Sequence, residues 1–440
     1  MQEINIIGGG FAGSEAAWQL ANRNIKVNLF EMRPEKRSDA HHSNNFAEVV
    51  CSNSLGSQTE GNASALIKKE LKMLNSLIME AAEATKVPAG GALAVDRELF
   101  SKYVTAKIDN HPLIEVHRKE ITNIDSSQIN IIATGPLTSK DLSENLQKIL
   151  GEGYFHFFDA AAPIVEYDSL NFDIIFEQSR YDKGDGVYLN CPFDKEQYEI
   201  FWSELNKAEL APVKNFDVYE TNKNFFEGCM PIEELARRGV DTPRFGPMKP
   251  VGLTDPKTGK RPYAVVQLRQ DNAAASLYNL VGFQTQLKWG EQKRVFGLIP
   301  GLENADFVRY GVMHRNTYIN SPKLLNPTLQ LRKEKNIFIS GLLTGVEGYI
   351  ESCAMGALAG INVSKFINNQ EMIILPETSM MGALSRYITN PDITKDFQPI
   401  NSNWGIIKSL EEKIRDKKQR NLLLTQRALK DFEDYIKTNL

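Results

Sequence analysis

Apolar positions along the chain fall into two rhythms. Short unbroken runs at Ile4–Ile7, Lys26–Phe30, Ile129–Ala133 and Asn336–Ser340 read as buried parallel strands. Between the first two, Ala16, Ala17, Leu20 and Ala21 recur at helical spacing. Residues 165–325 have another texture, with short alternating stretches such as Tyr263–Leu268 and frequent breaks at Gly246-Pro247, Lys249-Pro250 and Asp255-Pro256. From Ser409 to Leu440 a charged helical pattern predicts a closing helix with Leu422, Leu423, Leu424 and Leu429 on one face. A chain of 440 residues exceeds one ordinary core. The pattern predicts an α/β fold: a Rossmann-like domain from residues 1–160 and 330–440, interrupted by a smaller α+β insertion at 165–325.

The first strand runs directly into Gly8-Gly9-Gly10-Phe11-Ala12-Gly13, and the second ends at Glu31. Gly8 suits the tight turn, Gly10 lets backbone approach a pyrophosphate, and Gly13 lets helix and strand pack closely. The helix N-terminus offers amide N–H groups and a favourable dipole, and Glu31 can accept a ribose hydroxyl. Strand, turn, helix, strand and acid in that order predict a bound dinucleotide. A second glycine-rich junction follows the last strand: Gly341-Leu342-Leu343-Thr344-Gly345-Val346-Glu347-Gly348-Tyr349. Two distant junctions converging on one extended ligand suit FAD better than a mobile nicotinamide.

Charge and cysteine usage narrow the classes. A net charge of −4 opposes binding nucleic acid by overall positive charge but leaves room for a local basic cleft. Basic residues recur from Arg237 to Arg294, with Tyr263, Phe283, Trp289 and Phe296 among them, a weak signature of looped RNA. No apolar run approaches the roughly 20 residues of a membrane span, and no basic segment precedes the first strand. No membrane association and a cytoplasmic location are expected. Cys51, Cys191, Cys229 and Cys353 form no CxxC pair and no metal-site spacing, so thiols and no metal are expected. Cys191 and Cys353 read as small buried hydrophobes.

Several longer segments resemble the folate- and FAD-dependent tRNA (uracil-C5)-methyltransferases over nearly the whole chain. They include GGGFAGSEAAWQL, FEMRP at Glu31, AHHSNNFAEVVCSNSL around Cys51, LIMEAAEATKVPAGGALAVDR and FFEGCMPIEELARRG around Cys229. FGPMKPVGLTDPKTGKRPYAVVQLRQDN, RYGVMHRNTYINSP and GLLTGVEGYIES continue the match. The resemblance implies an FAD domain carrying a smaller insertion. It also implies transfer of a one-carbon unit from 5,10-methylenetetrahydrofolate through reduced FAD to uracil C5, with NADH or NADPH as reductant. The T-loop uracil of tRNA is the expected substrate, with a 23S rRNA uracil as the alternative. Uracil C5 becomes nucleophilic only after addition at C6, to which a thiolate is well suited, and the C5 proton must then leave to a base.

Carried over residue by residue, Cys229 is the expected nucleophile and Cys51 the expected proton acceptor. Ser52-Asn53-Ser54 are expected to donate hydrogen bonds to the Cys51 thiol. Gly341, Glu347, Gly348 and Tyr349 are expected on the cofactor, Tyr349 against the flavin ring or as a core tyrosine with a bonded hydroxyl. Trp289 and Arg269 are candidates for folate or RNA, and His41-His42 for the cofactor's edge or the surface. After CSNSL many members carry an arginine where this chain has Gly56-Ser57-Gln58, which puts the choice of RNA in question. A reading of another class, a small-molecule flavin oxidoreductase with Cys51 and Cys229 as a redox pair, predicts turnover without RNA. A third, a flavoprotein that binds RNA without catalysis, has no use for the matched cysteines.

Overall fold

The computed structural model describes residues 4–38, 40–151, 153, 155–160, 162–182, 188–211, 230–311, 313–395 and 397–440; Cys229 lies outside them. Five parallel strands form one sheet in the order Ile337–Ile339, Ile129–Ile132, Ile4–Ile7, Val27–Phe30, Ile114–His117. The apolar runs end within a residue or two of where the sequence put them. Polar side chains inside these strands pair across the register. Asn28 donates to Asn5 (3.3 Å), and Asn5 donates to Gln128 (2.6 Å) and Asn130 (3.4 Å). Helix Phe11–Ala21 covers the sheet and packs lengthwise against helix Tyr349–Ile367. Side chains at Gly356 or Gly360 would run into the backbone of Ala12 or Ala16, so these glycines set the closeness of that pair.

Strands Phe155–Ala160 and Met313–Tyr318 form an antiparallel ribbon that carries the chain out of this layer and back. Between them lies an antiparallel six-stranded sheet, ordered Phe176–Gln178, Tyr188–Phe193, Ala264–Gln270, Leu277–Leu280, Ile164–Glu166, Phe307–Arg309. It has its own core with helices Lys195–Lys207, Ile232–Arg237 and Trp289–Phe296. The fold is thus a Rossmann-like layer with an inserted smaller α+β unit. A small three-stranded sheet, Ser54–Ser57, Ala92–Val95 and Lys86–Val87, follows the Cys51 segment. The C-terminal helix differs from expectation: it starts at Lys417, not Ser409, and buries Leu424, Ala428 and Phe432. That stripe repeats every four residues, so Leu422, Leu423 and Leu429 flank it and are half-buried.

One buried carboxyl ties this layer together. Glu70 accepts the N–H groups of Met380 (2.7 Å) and Met381 (2.8 Å), while Ser379 caps Gly382, so the first turn of helix Met380–Ile388 is satisfied. Burial pushes the Glu70 carboxyl up to about 8 from its ordinary 4.5, against those two hydrogen bonds. The folded state therefore keeps a proton that the unfolded chain releases above pH 4.5, and stability falls as pH rises toward 8. At about 1.4 kcal/mol per pH unit, Tm is expected to drop between about pH 6 and about pH 8, and less steeply in Glu70→Gln. Equal slopes for the two proteins in a thermal titration would refute this.

Candidate active site

The first glycine turn is shaped by what surrounds it. Gly8 has φ +106° and its N–H donates to Phe30 O (2.8 Å), while a Cβ there would stand 2.5 Å from Ala133 O. A Cβ at Gly13 would overlap the Gly8 carbonyl oxygen. At Gly10, by contrast, a Cβ would meet nothing within 4 Å. Gly10 lines a cleft together with Gly8, Gly9, Glu31, His41 and Thr134 among others. A helix N-terminus, a glycine with free space above it and a buried carboxylate on one cleft fit an extended anionic dinucleotide.

Glu31 is 6% exposed and already engaged. It accepts Gly9 N–H (2.9 Å), Arg33 N–H (3.1 Å) and Arg33 Nε (2.8 Å). Burial raises its pKa, but the hydrogen bonds and charge of Arg33 outweigh this and hold the carboxylate below its usual range. Arg33, itself 2% exposed, also reaches Glu48 (3.1 Å). His41 lines the same cleft, whereas His42 is exposed. Burial, aided by the charge of Arg33, lowers the His41 pKa.

The second junction meets the first. Gly341 backs onto Ala12, Glu347 is buried with its N–H on Ile400 O (2.8 Å), and Gly348 precedes the helix that begins at Tyr349. The Tyr349 ring stacks on Phe11 with centroids 4.5 Å apart, and Phe11 stacks on Phe100 at 5.4 Å. Its hydroxyl accepts the Cys51 N–H (2.7 Å). The tyrosine thus joins the glycine cradle to the half-buried Cys51, across 298 residues of sequence.

Three arginines grip the Cys51 segment. Arg97 donates to Val49 O (2.8 Å) and Cys51 O (2.6 Å), and Arg309 to Val50 O (2.6 Å). Arg269 donates to Ser52 Oγ (2.6 Å) and Asn53 Oδ1 (3.0 Å). Asp271 pairs with Arg97 at 2.8 Å. Arg269, Asp271 and Arg309 come from the inserted sheet or its turns, so the cysteine segment lies at the seam between the two sheets. This corrects two expectations. The side chains of Ser52 and Asn53 are taken by Arg269 and by the carbonyls of Val95 and Gln270, not by the thiol. Arg269 itself is 7% exposed and acts as an internal clamp.

Trp289 is 63% exposed and stacks on Tyr310 at 5.7 Å. Cys191 and Cys353 are fully buried, and burial raises both thiols. Gly56 has φ +84°, and beside it the buried Lys68 donates to Ser57 O (3.0 Å). Among the described residues no group of three His, Cys, Asp or Glu side chains could hold a metal ion, and no helix is long and apolar enough to cross a membrane.

The parallel sheet, paired glycine junctions and inserted sheet define a dinucleotide-binding fold of the flavoprotein kind. The family model described as "Glucose inhibited division protein A" matches residues 3–371. Two crystal forms of Aquifex aeolicus GidA superpose with a TM-score of 0.69 at 16% identity, over 99% of this chain and 75% and 78% of theirs. The methylenetetrahydrofolate–tRNA-(uracil-5-)-methyltransferase TrmFO of Listeria monocytogenes is 56% identical over 428 residues, 97% of each chain. The Acetivibrio thermocellus protein of that name is 57% identical over 433 residues, 98% of each. The chain belongs to this methyltransferase family.

Proposed function

We propose that this protein forms 5-methyluridine at the T-loop uracil of tRNA, with 5,10-methylenetetrahydrofolate as carbon donor and FAD as bound cofactor. The observation that carries the reading is identity above one half, end to end, with relatives named for that reaction. Gly8, Gly10, Gly13 and Glu31 would hold the dinucleotide's phosphates and ribose; Gly341, Glu347, Gly348 and Tyr349 would border its flavin end. When bound, FAD supplies the carrier and redox chemistry, recharged by NADH or NADPH. The chain's own thiols do the rest. Cys229 adds to uracil C6, which makes C5 nucleophilic, and Cys51 accepts the proton that C5 must lose. Residues 165–325 form the substrate side, and the cytoplasm is where the enzyme meets its tRNA.

The test offers labelled methylenetetrahydrofolate, a reduced nicotinamide and either tRNA or 23S rRNA transcripts to the purified protein. Label on the T-loop uracil of tRNA is expected. Label on rRNA alone would overturn the substrate, and flavin turnover without label on either RNA would favour the small-molecule oxidoreductase. In the same assay Cys51→Ala is expected to lose about 10²–10⁴-fold in rate, the usual share of a general base. Cys229→Ala, which removes the nucleophile, should lose more.

A further inference from the structure

A dense run of cations lies outside the cleft and the cysteine seam. Residues 413–420 hold Lys413, Arg415, Lys417, Lys418 and Arg420 against the single acid Asp416. Four of the five are exposed and Arg420 is half-buried. None makes an ion pair with a described carboxylate, Glu411 and Glu412 just before the run included. Asp416 caps helix Lys417–Asn439, where it accepts Gln419 N–H (2.6 Å). Three of the cations thus stand within the first four residues of that helix, at the dipole end that repels positive charge. Lys417 and Arg420, one turn apart, also repel each other. The far end of the helix follows the favourable rule, with Lys437 in its last turn and paired with Glu433 (2.7 Å). Cations at the first turn destabilise the helix, and an anion bound across the run would offset this.

The run is tied to both halves of the site. Upstream of it the chain follows the second glycine junction. Glu347 N–H donates to Ile400 O (2.8 Å), and Ser402 donates to Glu351 through its N–H (3.0 Å) and hydroxyl (2.5 Å). Trp404 Nε1 then donates to Gly61 O (3.1 Å). Gly61 lies in the loop that leaves strand Ser54–Ser57, and a Cβ on it would touch Leu422 (3.6 Å) and Asn421 (3.7 Å). The start of the helix therefore sits on the loop that continues the Cys51 segment, at most about 35 Å from the cysteine by chain length. We propose that these five cations bind the sugar-phosphate backbone of the RNA whose uracil is held at Cys51. The inference rests on the reading of the chain as an RNA methyltransferase and assigns that substrate a surface outside the reaction centre. Phosphate contacts of this kind fix the register of an RNA without reading its sequence. With a net charge of −4, the chain depends on such local clusters for its grip.

The test is the affinity of the holoenzyme for a tRNA transcript, measured by filter binding from about 50 to about 200 mM salt. In the triple variant Lys417→Gln, Lys418→Gln, Arg420→Gln, Kd is expected to rise about tenfold or more at ~150 mM salt. The slope of log affinity against log salt concentration should flatten by about two, as the loss of three phosphate contacts requires. A control variant removes the same charge from Arg332, Lys333 and Lys335. These are exposed and form no described ion pair, but they lead into the N-terminal end of strand Ile337–Ile339, opposite its glycine junction. Its Kd is expected within about twofold of the wild type, since charge that far from the RNA is screened. At saturating tRNA both variants should keep kcat, the loss in the first falling on KM. The first variant should melt at or above the wild-type temperature, because it relieves the helix end. Wild-type affinity and slope in the first variant, or equal losses in the two, overturn the proposal. Methylation with an unchanged Kd sinks this surface and leaves the function standing; RNA binding lost with the run, without label on any RNA, does the reverse.

Discussion

Gly13→Ala is expected to destabilise the nucleotide-binding layer by about 3 kcal/mol or more and to yield protein without flavin. The new methyl would overlap the Gly8 carbonyl oxygen, which is backbone in the tightest part of the turn, so no side chain can swing aside to relieve it. Gly10→Ala, three residues away, makes the instructive contrast. Its methyl meets no protein atom within 4 Å, and the backbone there (φ −78°) is one that alanine adopts. The apoprotein should therefore keep its stability to within about 1 kcal/mol, the penalty of a poorer helix cap. The methyl nevertheless enters the space where a pyrophosphate would approach, so flavin affinity should fall by about tenfold or more, or ~1.4 kcal/mol. Urea titration of the apoproteins and flavin-to-protein absorbance ratios separate the two effects. Wild-type flavin affinity in Gly10→Ala would place the cofactor's phosphates elsewhere.

The glycine cradle was legible in the sequence because its parts are neighbours in it. Strand, turn, helix, second strand and Glu31 span one βαβ unit, and each has a local requirement that a residue type reveals. What Glu31 does with its second oxygen was less visible. FEMRP displays Arg33 two residues on, but only the fold shows the pair buried against Glu48. The seam around Cys51 was not legible. Arg97 and Arg309 reach the segment across 46 and 259 residues, and the Tyr349 hydroxyl across 298. Their only trace was position: Arg97 closes one of the family-like segments, Arg309 opens another, and Arg269 and Asp271 share a third. Polarity alone misled at Ser52 and Asn53, because a side chain able to donate to a thiol is equally able to serve a nearby arginine or carbonyl. The C-terminal helix misled by register, since four leucines close in sequence span more than one face of a helix.

Asp271→Asn carries the largest stability loss expected outside the glycine turn. It would leave the Arg97 guanidinium, 15% exposed, without its carboxylate, at a cost of about 3–5 kcal/mol. Arg97→Gln should cost a similar amount for the mirror reason, the stranded charge now being an aspartate that is 4% exposed. The double variant strands neither, so its loss should fall short of the sum of the two by about 1–3 kcal/mol, read from urea denaturation of all four proteins. Strict additivity would mean that the pair contributes nothing as a pair. That partial offset should not bring back methylation. The double variant still lacks the donors to the Val49 and Cys51 carbonyls, so the segment that carries the base is left unheld. A double variant with wild-type methylation would show that the ion pair serves the fold alone, and that Arg309 and Tyr349 suffice to place Cys51.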